Sequence, residues 1–299
     1  MKTFKIKRIV VPTDFSEAGN QALEQGAWLS RLCNAELHLV HVFEPTSIFF
    51  PAMEPVFALS VEGEVRENTS RKLSEISDQY SNKFGIKVVS SLAEGKIAAE
   101  IVKYAEEKEA DLILMGTHGA SGYEELFIGS NAEKVLSKAE CPVLTIQAHA
   151  GKNNIQNIVV PIDSTLHSRQ KVDYAIEMAK IYGSTIHLLG LIESDEDLED
   201  KFRLKMRSVE EVVQKAGVPY VEKTIVDANV ALTAMDYARE VGADLIMVMA
   251  DHESRIPGLF TGKFGKQLVN HSTIPVMSIK PHLGSLTSVN PAGSPSYAN

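Results

Sequence analysis

Ile9-Val-Val-Pro-Thr-Asp14 is written a second time in this chain as Ile158-Val-Val-Pro-Ile-Asp163, 149 residues further on. Glu36-Leu-His-Leu39 returns as Thr185-Ile-His-Leu188 at the same offset. The offset then shortens to 133: Ala110-Asp-Leu-Ile113 returns as Ala243-Asp-Leu-Ile246, Leu126-Phe-Ile-Gly129 as Leu259-Phe-Thr-Gly262, and Pro142-Val as Pro275-Val. Self-similarity of this kind marks an internal duplication. The change of offset gives the first copy 16 extra residues between its second strand and Gly95.

Within each copy, short Val/Ile/Leu-rich runs alternate with longer segments of helical periodicity, the pattern of strand–helix units around a parallel sheet. Strands are predicted near Arg8–Pro12, Glu36–Val42, Lys87–Leu92, Asp111–Met115 and Val143–Gln147. Helices are predicted near Glu17–Leu32, Glu64–Phe84, Ala98–Glu109 and Ser130–Ala139, the first with Ser16 as N-cap. The second copy repeats the strands near Asn157–Pro161, Thr185–Leu191, Tyr220–Val226, Asp244–Met249 and Val276–Lys280. The expected division is a first domain over 1–148, a connector over 149–155 and a second domain over 156–281. A Ser/Pro/Gly-rich tail over 282–299 is expected to be flexible.

Composition agrees with two globular domains. The chain has 299 residues, 44% hydrophobic and 23% charged, enough for each half to bury its own core. Thirty Lys and Arg stand against 39 Asp and Glu, and no basic block is long enough to track a phosphate backbone, so nucleic acid is not an expected partner. Two cysteines cannot make a disulfide framework, and Met1-Lys-Thr-Phe-Lys-Ile-Lys7 lacks the apolar run of a signal peptide, so a cytoplasmic location is expected. Apolar runs such as Asp111-Leu-Ile-Leu-Met115 fall far short of the roughly 20 residues that span a bilayer, so no membrane association is expected.

Chemistry concentrates after the fourth strand. There the chain reads Met115-Gly-Thr-His-Gly119, then nine residues, then Gly129-Ser-Asn-Ala132 and a helical segment. Glycines at 116, 119 and 129 allow close backbone approach, and the helix opening at Ser130 offers N–H groups and a positive dipole end to an anion. Neither the P-loop spacing nor the Gly-x-Gly-x-x-Gly dinucleotide fingerprint is present, and Gly119-Ala-Ser-Gly122 does not satisfy a nucleophile elbow.

Taken together these motifs resemble the universal stress protein family, named after UspA, in tandem two-domain form. The Gly-x2-Gly-x9-Gly-Ser spacing of Gly116, Gly119, Gly129 and Ser130 is similar to the signature of that family's ATP-binding branch. Val11-Pro-Thr-Asp14, Val40-His-Val42 and Cys141-Pro-Val143 join it, and the resemblance covers nearly all of Lys5 to Lys280. It implies two Rossmann-like domains of the adenine nucleotide alpha hydrolase type, each a five-stranded parallel sheet of order 3-2-1-4-5 with helices on both faces. Ligands of such sheets bind beyond the carboxyl ends of the strands where the order reverses, so Asp14 and Gly116 are expected to flank one crevice.

The resemblance further implies site roles. Pro12, Thr13 and Asp14 would line the adenine and ribose end, with Val42 presenting backbone beside the base. Met115, Gly116, His118, Gly119, Gly129, Ser130 and Asn131 would surround the ribose and phosphates. The implied cofactor is ATP, or ADP or AMP, with Mg or Mn held through the phosphates, since no carboxylate cage is legible. An internal pseudo-dimer through the two fifth strands is implied as well; an unidentified protein partner and a further homodimer are left open.

The second copy reads as degenerate. Gly116 becomes Met249, Gly119 becomes His252 and Ser130 becomes Lys263, while Gly129 persists as Gly262 and Asp14 as Asp163. Met249 is expected to obstruct phosphate, leaving a structural or regulatory domain. Asp251-His-Glu253 is read as an exposed loop in preference to a metal site, because consecutive residues do not share a face. Cys141 corresponds to Ile274 and Cys33 to Tyr182, which favours buried positions over reactive thiols. The extra segment, Glu44–Val65, carries Ile48, Phe49, Phe50, Met53 and Phe57 and is expected to be a loop acting as a lid or docking flap.

An ATP-binding regulatory protein of the stress response is the leading expectation. No catalytic residue is assigned; the alternatives are a slow ATPase or an autophosphorylating protein using Ser130 or Ser121, and a nucleotide-independent scaffold. Electron-transfer flavoprotein-like and adenylating domains share the architecture, but the nine-residue spacing and the lack of a longer catalytic region disfavour them.

Overall fold

The computed structural model describes residues 4–44, 55–117, 129–147, 154–163, 166–192, 196–226, 229–250 and 263–281. The first half runs β1 (Arg8–Pro12), α1 (Glu17–Cys33), β2 (Glu36–Phe43), α2 (Pro55–Phe84), β3 (Val88–Glu94), α3 (Ile97–Glu107), β4 (Leu112–Gly116), α4 (Ser130–Lys138) and β5 (Val143–Ile146). The second runs β6 (Asn157–Ile162), α5 (Gln170–Tyr182), β7 (Thr185–Ile192), α6 (Glu196–Lys215), β8 (Tyr220–Val226), α7 (Val230–Glu240), β9 (Leu245–Met249), α8 (Lys263–His271) and β10 (Val276–Ile279). The connector around 148–153 and the tail beyond 281 lie outside the described residues.

Each half has the expected strand order, but the two are not separate sheets. They form one ten-stranded sheet, β3-β2-β1-β4-β5-β10-β9-β6-β7-β8, parallel within each half and antiparallel only where β5 meets β10. At that junction Val276 lies opposite Thr145, Met277 opposite Leu144 and Ser278 opposite Val143, and Thr145 Oγ1 donates to the Val276 carbonyl at 3.1 Å. Gln147 Nε2 donates across it to the Ser272 carbonyl, and Lys280 Nζ pairs with Glu140 at 2.5 Å.

Helices cover both faces, which is why the strands read as nearly unbroken apolar runs. Alternation assigns the sides: Ile9 and Val11 pack with Leu23 of α1 and Leu73 of α2, while Val10 packs with Ile101 of α3 and Val135 of α4. Both apolar layers run through the junction, the first joining Leu23 to Ile176 and Val209, the second joining Val135 to Ala234 and Leu268.

Two repeated motifs acquire structural reasons here. In Ala110-Asp-Leu-Ile113, Asp111 Oδ2 accepts the N–H groups of Lys7 and Arg8 at 2.7 and 2.9 Å, fastening the start of β4 to that of β1. Asp244 does the same for Gln156 and Asn157 at 2.8 and 3.1 Å. In the two Leu/Ile-His-Leu motifs, His38 Nδ1 meets Tyr104 Oη at 3.1 Å and His187 Nδ1 meets Tyr237 Oη at 3.2 Å. Burial pushes both imidazoles below their ordinary value of 6.5, so they are held neutral.

The inserted segment departs from expectation. From Pro55 onward it is helix, so α2 has 30 residues where its counterpart α6 has 20. Residues 45–54 lie outside the described residues, and with them the central part of the expected lid. The missed signal is helical: no glycine or proline interrupts the run from Val56 to Glu62, and only Gly63 stands between it and the strongly helical stretch beyond.

Candidate functional site

The crevice is built where β1 and β4 part company. β1 leads to α1 on one face and β4 to α4 on the other, so their carboxyl ends leave a gap that neither connection covers. Past Pro12, Thr13 N–H continues the ladder to the Val40 carbonyl at 2.8 Å. The chain then turns sharply: Phe15 has φ of 62°, a left-handed conformation that costs a non-glycine residue about 1–2 kcal/mol. Side chains brace this corner. Thr13 Oγ1 accepts Phe15 N–H at 3.0 Å, Asp14 Oδ1 accepts Ser16 N–H at 3.0 Å, and Ser16 Oγ caps α1 by accepting Gly19 N–H at 3.1 Å, the predicted cap.

Opposite, Thr117 N–H donates to Ile146 O at 2.9 Å, and Thr117 O accepts Gly129 N–H at 2.7 Å. One residue thus gathers both ends of the glycine loop before α4 begins. Gly129, as N-cap, supplies no side chain, and Ser130, Asn131 and Ala132, whose first-turn N–H groups have no intrahelical acceptor, line the crevice. Ile97 and Ile101 of α3 form a third, apolar wall together with Val40 and Val42 of β2. The crevice is open to one side and has a volume of about 250 Å³, just below the usual range of small-ligand pockets.

Nine expected residues line this one cavity: Pro12, Thr13, Asp14, Val42, Met115, Gly116, Gly129, Ser130 and Asn131. His118 and Gly119 lie outside the described residues. Sequence reasoning missed the two isoleucines of α3, Thr117 and His41. His41 had a signal, since it interrupts an apolar strand and its counterpart in the repeat is Gly190. Among the described residues no cluster of His, Cys, Asp and Glu could hold a metal ion.

Gly116 lines the crevice and has a packing reason as well. A Cβ there would stand 2.8 Å from Ala18 Cβ and 2.9 Å from its carbonyl carbon, so the glycine is demanded by α1 packing against β4. Met249, its counterpart, is buried in the apolar layer on the α5 side. The helix start differs in the second half: a 3-10 turn over Leu166–Arg169 precedes α5, which begins at Gln170, four residues later than the position equivalent to Glu17.

The second half also differs beyond β6. Asp163 N–H donates to Ser168 Oγ at 3.0 Å, and its carbonyl accepts Lys205 Nζ at 2.6 Å. Burial lowers the Lys205 pKa, with Arg169 acting in the same direction and Asp163 against it. Lys263 opens α8 where Ser130 opens α4. Asp251-His-Glu253 lies outside the described residues. Both cysteines are half-buried, and burial pushes the thiols up to about 11 for Cys33 and about 12 for Cys141, which suits unreactive packing positions.

A doubly wound parallel sheet with a crevice at its switch point places the chain among α/β proteins of Rossmann-like architecture. The family model of the Universal stress protein family matches residues 5–147 and again 154–280, and the chain belongs to that family. A universal stress protein of Methanocaldococcus jannaschii is 32% identical over 148 residues, covering 47% of this chain and 82% of that protein. The solved universal stress protein from Archaeoglobus fulgidus shares the fold, with a TM-score of 0.74 over 94% of this chain and 99% of that one at 20% identity. A universal stress protein solved in complex with cAMP is 21% identical, covering 48% of this chain and 98% of that one with a TM-score of 0.35. No helix among the described residues is long and apolar enough to cross a membrane.

Proposed function

We propose that the first half binds an adenine nucleotide, ATP foremost, and that the chain works as a nucleotide-responsive regulator in the stress response. The main support is the shape of one crevice: an apolar slot between Val42 and Ile101, a carboxylate at Asp14, and the N-terminus of α4 gathered into about 250 Å³. These ends are electrostatically unlike. The helix terminus attracts phosphate, whereas Asp14 repels it and accepts from hydroxyl or amino groups, so a nucleotide enters with its phosphates toward Ser130 and its ribose and base toward β1 and β2. A divalent ion such as Mg or Mn would be held through the phosphates.

Binding fits this crevice better than turnover. Its titratable lining side chains among the described residues are Asp14 and His41. Asp14 Oδ1 already accepts Ser16 N–H, and His41 Nδ1 lies 2.7 Å from the Thr13 carbonyl. Calorimetric titration of the full chain tests the proposal. One ATP per chain is expected, with Asp14→Ala weakening it about tenfold. No binding by the wild type would favour the nucleotide-independent scaffold, and two ATP per chain would overturn the restriction to the first half.

A further inference from the structure

We propose that His41 is a positioning residue for the first crevice, holding the β1–α1 corner so that Asp14 faces the ligand. A carbonyl can only accept, so the 2.7 Å contact between His41 Nδ1 and Thr13 O fixes the proton on Nδ1. The imidazole also stacks on Phe15, with ring centroids 4.9 Å apart and planes at 27°, and Lys72 Nζ lies 4.0 Å from the same phenyl ring. His41 therefore grips the corner on both sides of Asp14, by the carbonyl before it and the side chain after it. Phe15 is the residue in the left-handed conformation, so it needs an external hold to stay there.

The second half supplies a natural comparison. The counterpart of His41 is Gly190, and a Cβ there would lie 2.7 Å from Thr224 Oγ1 and 3.0 Å from the ring of Phe202, so no larger side chain fits. The position equivalent to Phe15 is Ser164. Lys205 occupies the position equivalent to Lys72, yet it donates to the Asp163 carbonyl. In this half a 3-10 turn over Leu166–Arg169 precedes a helix that starts at Gln170.

This role takes its ligand from the nucleotide reading, but the corner can be followed without ligand. Full-length His41→Gly installs the second half's residue, and His41→Phe keeps a ring while removing the N–H donor. In the ligand-free protein, amide exchange at Phe15 and Ser16 is expected to quicken about tenfold in His41→Gly, with β9 amides unchanged and His41→Phe intermediate. ATP affinity is expected to fall about tenfold in His41→Gly, but less than about twofold when Asp14→Ala is already present. If His41→Gly does not fold, His41→Phe carries the same comparison. Unaltered exchange at Phe15 and Ser16 overturns the positioning role whatever ATP does. An undiminished effect in the Asp14→Ala background overturns it too, because His41 would then act on the ligand directly. If the wild type binds no ATP, the nucleotide reading fails, and quickened exchange still upholds the clamp.

Discussion

Leu144 and Met277 face each other across the β5–β10 junction, and each is the other's counterpart in the repeat. The junction therefore has a local twofold axis passing between residues related by the 133-residue offset. Because both apolar layers continue through it, the two halves are expected to unfold together. Trp28, the one tryptophan of the chain, reports from α1 of the first half, whereas far-ultraviolet circular dichroism reports on all of it. Denaturant midpoints from the two signals are expected to coincide, and a Trp28 transition separate from the dichroism transition would contradict this.

Leu144 is 1% exposed, and truncating it leaves a hole that neighbouring strands cannot close. Leu144→Ala is expected to lower unfolding stability by roughly 2–5 kcal/mol in urea titration. A loss under about 1 kcal/mol would mean that the junction contributes little.

Gly116 serves packing against Ala18, so Gly116→Ala is expected to cost about 1–3 kcal/mol without any ligand present. Ala18→Gly in the same chain should recover part of that loss, so the double variant is less destabilised than the two singles summed. Strict additivity would refute the contact as the cause.

The Asp111 clamp holds two backbone N–H groups through one carboxylate oxygen. Asp111→Ala is expected to lose about 1–3 kcal/mol, and Asp111→Asn, which keeps an acceptor, less. Equal losses in the two variants would show that geometry at the clamp, and not acceptance as such, is decisive.

His38 and His187 give the protein a pH dependence of definite sign. Their folded pKa values lie below the unfolded value of 6.5, chiefly through burial, so the unfolded chain binds more protons in that window. Their contribution is complete above 6.5 and is lost as pH falls from there through the folded values. Glu36 is also lowered, by its hydrogen bond to Lys87 first, but its contribution goes only below its ordinary 4.5. The urea midpoint is expected to drop as pH falls below about 6.5, and the double variant His38→Phe, His187→Phe to flatten that drop. An unchanged slope in the double variant would remove the histidines as its cause.

The strands, the helices and the duplication were legible because they depend on periodicity and on the repeat, whereas the strand order and the shared crevice were legible only through the family resemblance. Gly116 shows the limit: it lines the crevice as its motif suggests, while its packing against Ala18, almost a hundred residues away, has no mark in the sequence. His41 stands in a strand motif without a legible role, because its partners Thr13 and Phe15 meet it only once β1 and β2 pair. The Asp111 and Asp244 clamps were visible as repetition, and their purpose required the register of β1 beside β4 and β6 beside β9.

In an assembly of two identical copies, every substitution appears twice, so neither site can change without the other. The antiparallel seam between β5 and β10 is made within one covalent chain, and its partner strand is present at any dilution. That frees the halves from sameness. Met249 and Gly190 stand on one side of the molecule where Gly116 and His41 stand on the other, giving a protein whose halves hold different surroundings at corresponding positions.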